Sequence, residues 1–197
     1  MSPLPSREKQ LLLEVARRSL IQGVRRRTSA DIFSPITKSL LSPGAFATLH
    51  RRGLLRGCIG QIGAPQPIVP LVAYCARAAA LEDPRFRPVE PHEIPEIKIE
   101  LSILSELEVI AHEHIEIGKH GLMVTSRSKR GVLLPQVASQ YGWDATRFLE
   151  ETCLKAGLDR AAWRAEGARI EAFTAEVFSE SELHSAETAE SQPPLAE

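Results

Sequence analysis

A glycine-rich segment, Gly53–Gly63, constrains this chain more than any other stretch of its sequence. In an extended strand successive side chains point to opposite faces. We therefore predict that Arg56 and Cys58 share one face while Leu55 and Ile59 turn toward a core. A guanidinium at this spacing favours a thiolate over a thiol. Glycine lets a ligand or a second backbone come close. The glycines of the segment are Gly53, Gly57, Gly60 and Gly63.

Length and composition predict one domain, or one domain with a small additional lobe. The chain has 197 residues, of which 43% are hydrophobic and 25% charged, and this balance is typical of a globular protein. No apolar run is long enough to span a bilayer, and the first residues do not form a signal-peptide pattern. The three cysteines, Cys58, Cys75 and Cys153, lack a CxxC spacing. We therefore expect a reduced, cytoplasmic protein.

The charge is unevenly distributed along the chain. The net charge is −1, yet residues 180–197 contain five glutamates and no Lys or Arg. This segment is poor in large apolar residues, so we predict a disordered acidic tail at 180–197 after a folded domain at 1–179. The remaining body is only mildly basic, and nucleic-acid binding is not expected from charge alone.

The order of predicted elements indicates an α+β fold. Strands come as hairpins separated by helices rather than as repeated βα units, which favours an antiparallel or mixed sheet flanked by helices. The clearest strand is 97–103, where Ile97, Ile99, Leu101 and Ile103 alternate with polar residues. The other predicted elements are helices at 6–23, 67–81, 135–141 and from 145, hairpins at 45–51/54–62 and 120–125/131–134, and a last strand at 170–178.

Several short motifs, in order along the chain, resemble those of the AMMECR1 family. The resemblance is centred on the hexapeptide Leu55-Arg-Gly-Cys-Ile-Gly60 and covers roughly residues 7–179. The tail has no counterpart in it. Its other motifs are Gly44-Ala-Phe-Ala-Thr-Leu49, Asp83-Pro-Arg-Phe86, Ile99-Glu-Leu-Ser-Ile-Leu-Ser105, Gly118-Lys-His-Gly-Leu122, Leu133-Leu-Pro-Gln-Val137 and the closing region from Phe148 to Trp163.

The resemblance implies an α+β fold with two unequal lobes and a cleft near the LRGCIG hairpin. The molecular activity of the family is not established, so no cofactor follows from the resemblance. Relatives in bacteria and archaea look linked to a Memo-like protein and to a radical-SAM protein, which makes both candidate partners.

Cys58 and Arg56 are the first candidate site residues. Cys58 is either a nucleophile or thiolate ligand, or a small residue chosen for packing beside glycines. Arg56 either binds a carboxylate or phosphate through its planar donors, or forms an internal ion pair with Glu100 or Asp83.

Two further residues are candidates for proton transfer. His120, flanked by Lys119 and Gly121, is either a base that meets Cys58 in one cleft or a structural histidine bonded to a carbonyl. Glu100 lies on the non-core face of the predicted strand at 97–103. It faces solvent, a helix or the cleft, and in the cleft it is a candidate general base or arginine partner.

The candidate ligand-binding residues beyond Arg56 are Gly57, Gly60, Asp83 and Arg85. The glycines either shape the backbone or offer N–H groups to an anion. Asp83 and Arg85 either reach into the cleft or, with Pro84, end the preceding helix while Phe86 serves as an anchor.

Metal and nucleic-acid sites are not favoured by the remaining motifs. His112-Glu113-His114 lacks a third ligand at a useful spacing, so a solvated loop is expected and no metal is assigned. Basic runs such as Arg25–Arg27 and Arg127–Arg130 fall at predicted turns and helix ends, and aromatic residues are only 5% of the chain. Binding to RNA or the translation apparatus is the weakest hypothesis.

Two functional hypotheses follow from these residues. The first is a site that binds or modifies a small anionic ligand: Arg56 orients the anion, Cys58 attacks or contacts it, and His120 moves a proton, with Glu100, Asp83 and Arg85 in support. The second is a non-catalytic adaptor that uses the same groove to hold a partner protein, the Memo-like or radical-SAM protein among the candidates.

Overall fold

The computed structural model describes residues 3–26 and 40–182. Within them the chain forms eight strands and four α-helices, joined by turns and three short 3-10 helices. The helices are α1 (Ser6–Arg26), α2 (Ile68–Leu81), α3 (Pro135–Tyr141) and α4 (Ala145–Lys155). The strands are β1 (Leu41–Arg51), β2 (Leu54–Pro67), β3 (Ile97–Leu104), β4 (Glu108–Val109), β5 (Gly121–Ser126), β6 (Lys129–Leu133), β7 (Arg169–Phe173) and β8 (Ala175–Ser179).

The chain divides into two compact units of unequal length. The first comprises the described residues within Met1–Ile103 and Glu176–Glu197, and the second is Leu104–Ala175. Each unit contains a four-stranded sheet, in the order β2-β1-β3-β8 for the first and β4-β7-β5-β6 for the second.

The first unit packs α1 and α2 on one face of its sheet. Both helices bury apolar side chains against the sheet, because their sequences repeat Leu, Val, Ile and Ala at helical spacing. In α1 these side chains include Leu12, Ala16 and Leu20, which are fully buried. The strands supply the facing side of the core through Ala45, Ala47, Leu49, Ile97, Ile99, Leu101 and Ile103.

A two-residue turn joins β1 and β2 as predicted. Arg52 and Gly53 both have positive φ, 53° and 78°, which is the backbone of the type I′ turn that fits the twist of a hairpin. Only a residue without Cβ adopts this conformation at no steric cost, so Gly53 suits the second turn position.

The second unit buries its core between its sheet and α4. Asp144 caps α4, because its side chain accepts a hydrogen bond from the Arg147 backbone N–H at 2.7 Å, and the helix turns Phe148, Leu149 and Cys153 inward. Trp163 closes this cluster. The β5–β6 hairpin turns at Arg127-Ser128, two residues rather than the predicted four.

One predicted strand is in fact two. The segment 170–178 was expected to form a single strand, but it forms β7 in the second sheet and β8 in the first. Thr174 separates them, held by hydrogen bonds of 2.9 Å in both directions with Ser105. A continuous apolar pattern does not show that two halves of a segment pair with different neighbours.

The predicted tail starts too early. Glu180 accepts hydrogen bonds from the Arg17 guanidinium and, at 2.9 Å, from the Ile99 backbone N–H, so it belongs to the first unit. The rest of the predicted tail, 183–197, lies outside the described residues. The two Ser-Pro pairs in residues 28–43 predict an irregular connector, of which 28–39 also lie outside the described residues. The prediction is wrong for Leu41, Ser42 and Pro43, which belong to β1.

The fold class is α+β, as predicted. Every pairing recorded between described strands is antiparallel, and helices flank the sheets. Among the described helices, none combines the length and the apolar character that a membrane crossing needs.

Candidate functional site

The sheet of the first unit has one apolar face and one polar face. The β1–β2 and β1–β3 registers place Cys58, Thr48 and Glu100 in one row across three strands, and Gly60, Phe46 and Ser102 in the next. Residues one position away point to the helices. We call the side opposite the helices the polar face, and its residues are Phe46, Thr48, His50, Leu55, Cys58, Gly60, Lys98, Glu100 and Ser102.

A bulge in β2 decides which residues reach the polar face. The register shifts between the pairs Leu49↔Gly57 and His50↔Leu55, so Arg56 is an extra residue without a partner on β1. The prediction that Leu55 points to the core is therefore wrong: Leu55 lies opposite His50 and is 42% exposed. Ile59 packs against the core as predicted.

The backbone of Cys58 is held by two side chains at the free edge of the sheet. β2 is an edge strand, and the Cys58 N–H donates to Asp83 Oδ2 at 2.8 Å while Arg85 Nη2 donates to the Cys58 carbonyl at 3.3 Å. Asp83 and Arg85 thus supply the acceptor and donor that a further strand would otherwise provide. The structure thus places Asp83 and Arg85 beside the Cys58 backbone, and their predicted contact with a ligand stays a prediction.

Asp83 and Arg85 also bind each other. Nη2 and Nε of Arg85 donate to the two oxygens of Asp83 at 2.7 and 3.0 Å. The Asp83 side chain is only 2% exposed, and its hydrogen bonds from Arg85, aided by the Cys58 N–H, lower its pKa from 3.8 to about 2. Asp83 is therefore a charged, buried brace for the Cys58 backbone.

The sulfur of Cys58 has two polar neighbours. Thr48 Oγ1 donates a hydrogen bond to Sγ at 3.4 Å. The pKa of the Arg85 guanidinium is raised, chiefly by its hydrogen bonds to Asp83 and in smaller part by the Cys58 side chain. Arg85 is thus the cation next to Cys58, and its Nη2 reaches the Cys58 carbonyl oxygen at 3.3 Å.

The three cysteines differ sharply in exposure. Cys58 is partly exposed, whereas Cys75 and Cys153 are fully buried. Burial raises the pKa of the Cys75 thiol to about 12 and also raises that of Cys153. Cys58 is therefore the cysteine of the three that can meet a solute as a nucleophile.

Arg56 is occupied by a carboxylate that the sequence analysis did not single out. Its Nε and Nη2 donate to the two oxygens of Glu93 at 3.0 and 2.9 Å, and Nη1 donates to the Arg87 carbonyl at 2.9 Å. The expected internal partners, Glu100 or Asp83, were wrong. Most of the donors of Arg56 are engaged, so it anchors the segment that carries Glu93.

Glu93 connects two arginines of the hairpin. Its side chain is 7% exposed and receives Arg51 Nη1 at 2.8 Å as well as Arg56. The hydrogen bonds from Arg56, with help from the Glu90 N–H and Arg51, lower its pKa from 4.5 to about 2. The 3-10 helix Pro91–Glu96 places this carboxylate.

Gly57 and Gly60 have packing roles. A Cβ at Gly57 would lie 2.1 Å from the Ala79 carbonyl oxygen of α2, and a Cβ at Gly60 would lie 2.1 Å from the Phe46 ring. Of the predicted alternatives for Gly57, the close approach of a second backbone is what the structure contains. Their predicted contact with a ligand stays a prediction.

Glu100 and Ser102 leave hydrogen-bonding capacity unused on the polar face. Within the described residues, the Glu100 carboxylate has no hydrogen bond or ion pair. The Ser102 hydroxyl is buried, at 1% exposure, and it too lacks a partner there. Glu100 lies opposite Thr48 on the face away from α1 and α2, so of its predicted positions the one facing these helices is wrong, and its place in a cleft stays a prediction.

His120 belongs to the second unit and Cys58 to the first. The Nδ1 atom of His120 accepts a hydrogen bond from the Glu116 backbone N–H at 3.1 Å and so closes the turn before β5. A structural role for His120 is thereby observed, and its pairing with Cys58 stays a prediction.

His112, Glu113 and His114 form a short 3-10 helix in which His112 packs on Trp163 at 5.1 Å between ring centroids. Across residues 3–26 and 40–182, no group of three or more His, Cys, Asp or Glu side chains is arranged to hold a metal ion.

Sequence reasoning missed Thr48 and Glu93. Thr48 was detectable in part, because it alternates with the apolar Ala47 and Leu49 in a predicted strand. Its pairing with Cys58 depends on the bulge at Arg56, which has no sequence signal here. Glu93 lies 37 residues from Arg56 in a proline-containing segment, and no local pattern relates the two.

The fold and this site define the class of protein to which the chain belongs: an α+β protein of two antiparallel-sheet units with LRGCIG on an edge strand. The sequence model of the AMMECR1 family matches residues 13–178. The chain therefore belongs to the AMMECR1 family.

Individual relatives agree with this assignment. The chain is 39% identical to Protein PF1979 of Pyrococcus furiosus, over 87% of each chain, and 44% identical to Protein MJ0810 of Methanocaldococcus jannaschii, over 71% of this chain and 74% of that one. The crystal structure of uncharacterized protein PH0010 from Pyrococcus horikoshii is similar with a TM-score of 0.79 and 35% identity, covering 86% of this chain and 89% of that one.

Proposed function

We propose that the polar face around Cys58 binds or modifies a small anionic ligand. The observation that carries this proposal is the setting of Cys58: a partly exposed sulfur with a hydroxyl donor, Thr48, and a guanidinium, Arg85, at a backbone braced by Asp83. Cysteines placed beside cations and donors are the reactive ones in proteins.

Arg85 takes the role that the sequence analysis gave to Arg56. Its recorded hydrogen bonds use Nε and Nη2, so among the described residues Nη1 is left for a carboxylate or phosphate oxygen. The Arg85 side chain is 54% exposed, which leaves this amino group within reach of a solute. Arg56 does not contact the ligand in this proposal; it holds the 3-10 helix Pro91–Glu96 to β2 through its ion pair with Glu93.

In this arrangement Cys58 contacts the ligand or attacks it. As a nucleophile its sulfur bonds to an electrophilic carbon while the leaving group departs with the bonding electron pair. Glu100, which lies on the same face of the same sheet as Cys58, is the candidate proton carrier, and a cleft at the LRGCIG hairpin is the place that we expect the ligand to occupy.

Two alkylating reagents that differ in charge test this proposal. Iodoacetamide is neutral and iodoacetate is an anion, and each transfers its carbon to sulfur with loss of iodide. We expect Cys58 of the folded chain to react with both well before Cys75 and Cys153, and to favour iodoacetate over iodoacetamide more than the urea-unfolded chain does. Peptide mass spectrometry reads all three cysteines in one sample.

A pair of arginine variants completes the experiment. Arg85→Gln should abolish the preference of Cys58 for iodoacetate, whereas Arg87→Gln, an exposed arginine on the same segment, should leave it unchanged. A Cys58 that alkylates no faster than the buried cysteines, or that shows no preference for the anion, would contradict the proposal.

A second candidate function is that of an adaptor for a partner protein. It is favoured by Leu54 and Leu55, which are 74% and 42% exposed at the end of the β1–β2 hairpin, because a partner protein could bury this apolar surface. A Memo-like or radical-SAM protein is the candidate partner. Co-purification that is lost in Leu54→Ser but retained in Val109→Ser, a residue 67% exposed in the second unit, would support it.

A further inference from the structure

Groups of opposite charge lie at the β2 edge of the first sheet and on the polar face of β3. Arg85, at the free edge of β2, offers Nη1, and Glu100, two strands away on β3, offers a carboxylate without a partner among the described residues. Cys58 and Thr48 lie between them in one row. A ligand with only a negative charge would pair with Arg85 but would be repelled by the Glu100 carboxylate.

A second observation points to a ligand on the same face. Ser102 follows Glu100 on β3 at the alternate position, so both side chains leave the sheet on the same side. The Ser102 hydroxyl is 1% exposed and unpartnered in the described part of the chain. A buried hydroxyl without a hydrogen bond is costly, and a ligand that bears donor groups would satisfy it together with Glu100.

We infer that the ligand of this face is a zwitterion, with its carboxylate or phosphate on Arg85 and a protonated amine on Glu100. This inference rests on the proposed function, since it names the class of ligand that the Cys58 site takes. Neighbouring strands are about 4.8 Å apart, so Cys58 and Glu100 are separated by about 10 Å along the row. That span suits an ω-amino acid of several carbons or a short peptide better than a simple α-amino acid.

Protection of Cys58 tests the inference with a matched set of probes. The probes are 6-aminohexanoate, with both charges, hexanoate, with the anion alone, hexylamine, with the cation alone, and glycine, a zwitterion too short for the span. The full chain is alkylated with iodoacetamide in the presence of each, and the rate at Cys58 is followed by mass spectrometry. We expect 6-aminohexanoate to protect about fivefold better than any other probe, the gain from one added ion pair near the surface.

Glu100→Gln should remove that advantage and leave 6-aminohexanoate no better than hexanoate. Glu108→Gln, an exposed glutamate of the second unit, should retain it. Equal protection by hexanoate and 6-aminohexanoate in the unaltered chain would overturn the inference while leaving the anionic site in place. Strongest protection by hexylamine, or none by any probe, would also overturn it, and the proposed function is judged separately by the reactivity of Cys58 toward the two alkylating reagents.

Discussion

Asp83 Oδ2 accepts a hydrogen bond of 2.8 Å from the backbone N–H of Cys58. The two residues are 25 positions apart, and the contact joins the end of α2 to the free edge of β2. Because Arg85 bonds both Asp83 and the Cys58 carbonyl, the position of the sulfur depends on a carboxylate that must stay ionised.

The first prediction is that the stability contributed by the Asp83 carboxylate is lost in acid. The pKa of Asp83 is about 2 in the folded chain and 3.8 ordinarily, so its stabilising contribution is present above about pH 4 and is lost as pH falls toward 2. We expect Asp83→Asn to lower the free energy of unfolding by about 2 kcal/mol at pH 7. The gap between variant and parent should narrow steadily below pH 4, as measured by urea denaturation. A gap that is independent of pH would show that the charge of Asp83 is not what matters.

The second prediction compares two glutamates that bind the same arginine. Glu93 is 7% exposed between Arg51 and Arg56, whereas Glu96 is 34% exposed and binds Arg51 and Arg52 near the surface. Glu93→Gln should cost on the order of 2 kcal/mol of unfolding free energy because Arg56 loses a buried partner. Glu96→Gln should cost clearly less. Chemical denaturation at neutral pH measures both, and an equal loss would refute the central place given to Glu93.

The third prediction concerns two glycines of one strand. Gly57→Ala places a methyl group 2.1 Å from the Ala79 carbonyl oxygen, so α2 must shift, and we expect a loss of about 3 kcal/mol or failure to fold. Gly63→Ala is the control, because nothing lies within 4 Å of its Cβ position and its φ is not positive. It should change the stability by less than about 0.5 kcal/mol. Thermal unfolding of the two variants distinguishes packing from a general need for glycine.

The fourth prediction concerns the hydroxyl next to the sulfur. Thr48→Val keeps the shape of the side chain but removes the donor to Cys58 Sγ, and it should slow alkylation of Cys58 at pH 7 by about fivefold, the worth of one hydrogen bond. Thr48→Ser retains the donor and should react nearly as the parent does. Equal rates of Cys58 alkylation in Thr48→Val and Thr48→Ser at pH 7 would show that Thr48 acts through packing and not through its hydrogen bond.

Local patterns were sufficient for most of the secondary structure. Alternation in Ile97–Ile103, the Arg52-Gly53 turn and the Asp144 cap each act over a few residues, and each predicted its element correctly. A glycine-rich strand around Cys58 and the helix end at Asp83-Pro84 are readable from neighbouring residues in the same way, whereas the choice of Cys58, Asp83 and Arg85 as ligand-site residues stays a prediction.

Tertiary structure decided how those elements serve a site. The hairpin turn pairs Arg51 with Leu54, and an unbroken register from there would set Thr48 opposite Gly57. The bulge at Arg56 shifts the partner of Thr48 to Cys58, so that Cys58 lies on the polar face together with Leu55, and the Arg56 side chain pairs with Glu93. Such a bulge depends on contacts with α2 and the Pro91–Glu96 turn, which are distant in sequence. Periodicity reports which residues one strand can bury, but the register, and with it the neighbours of Cys58, depends on the sum of contacts made by segments far along the chain.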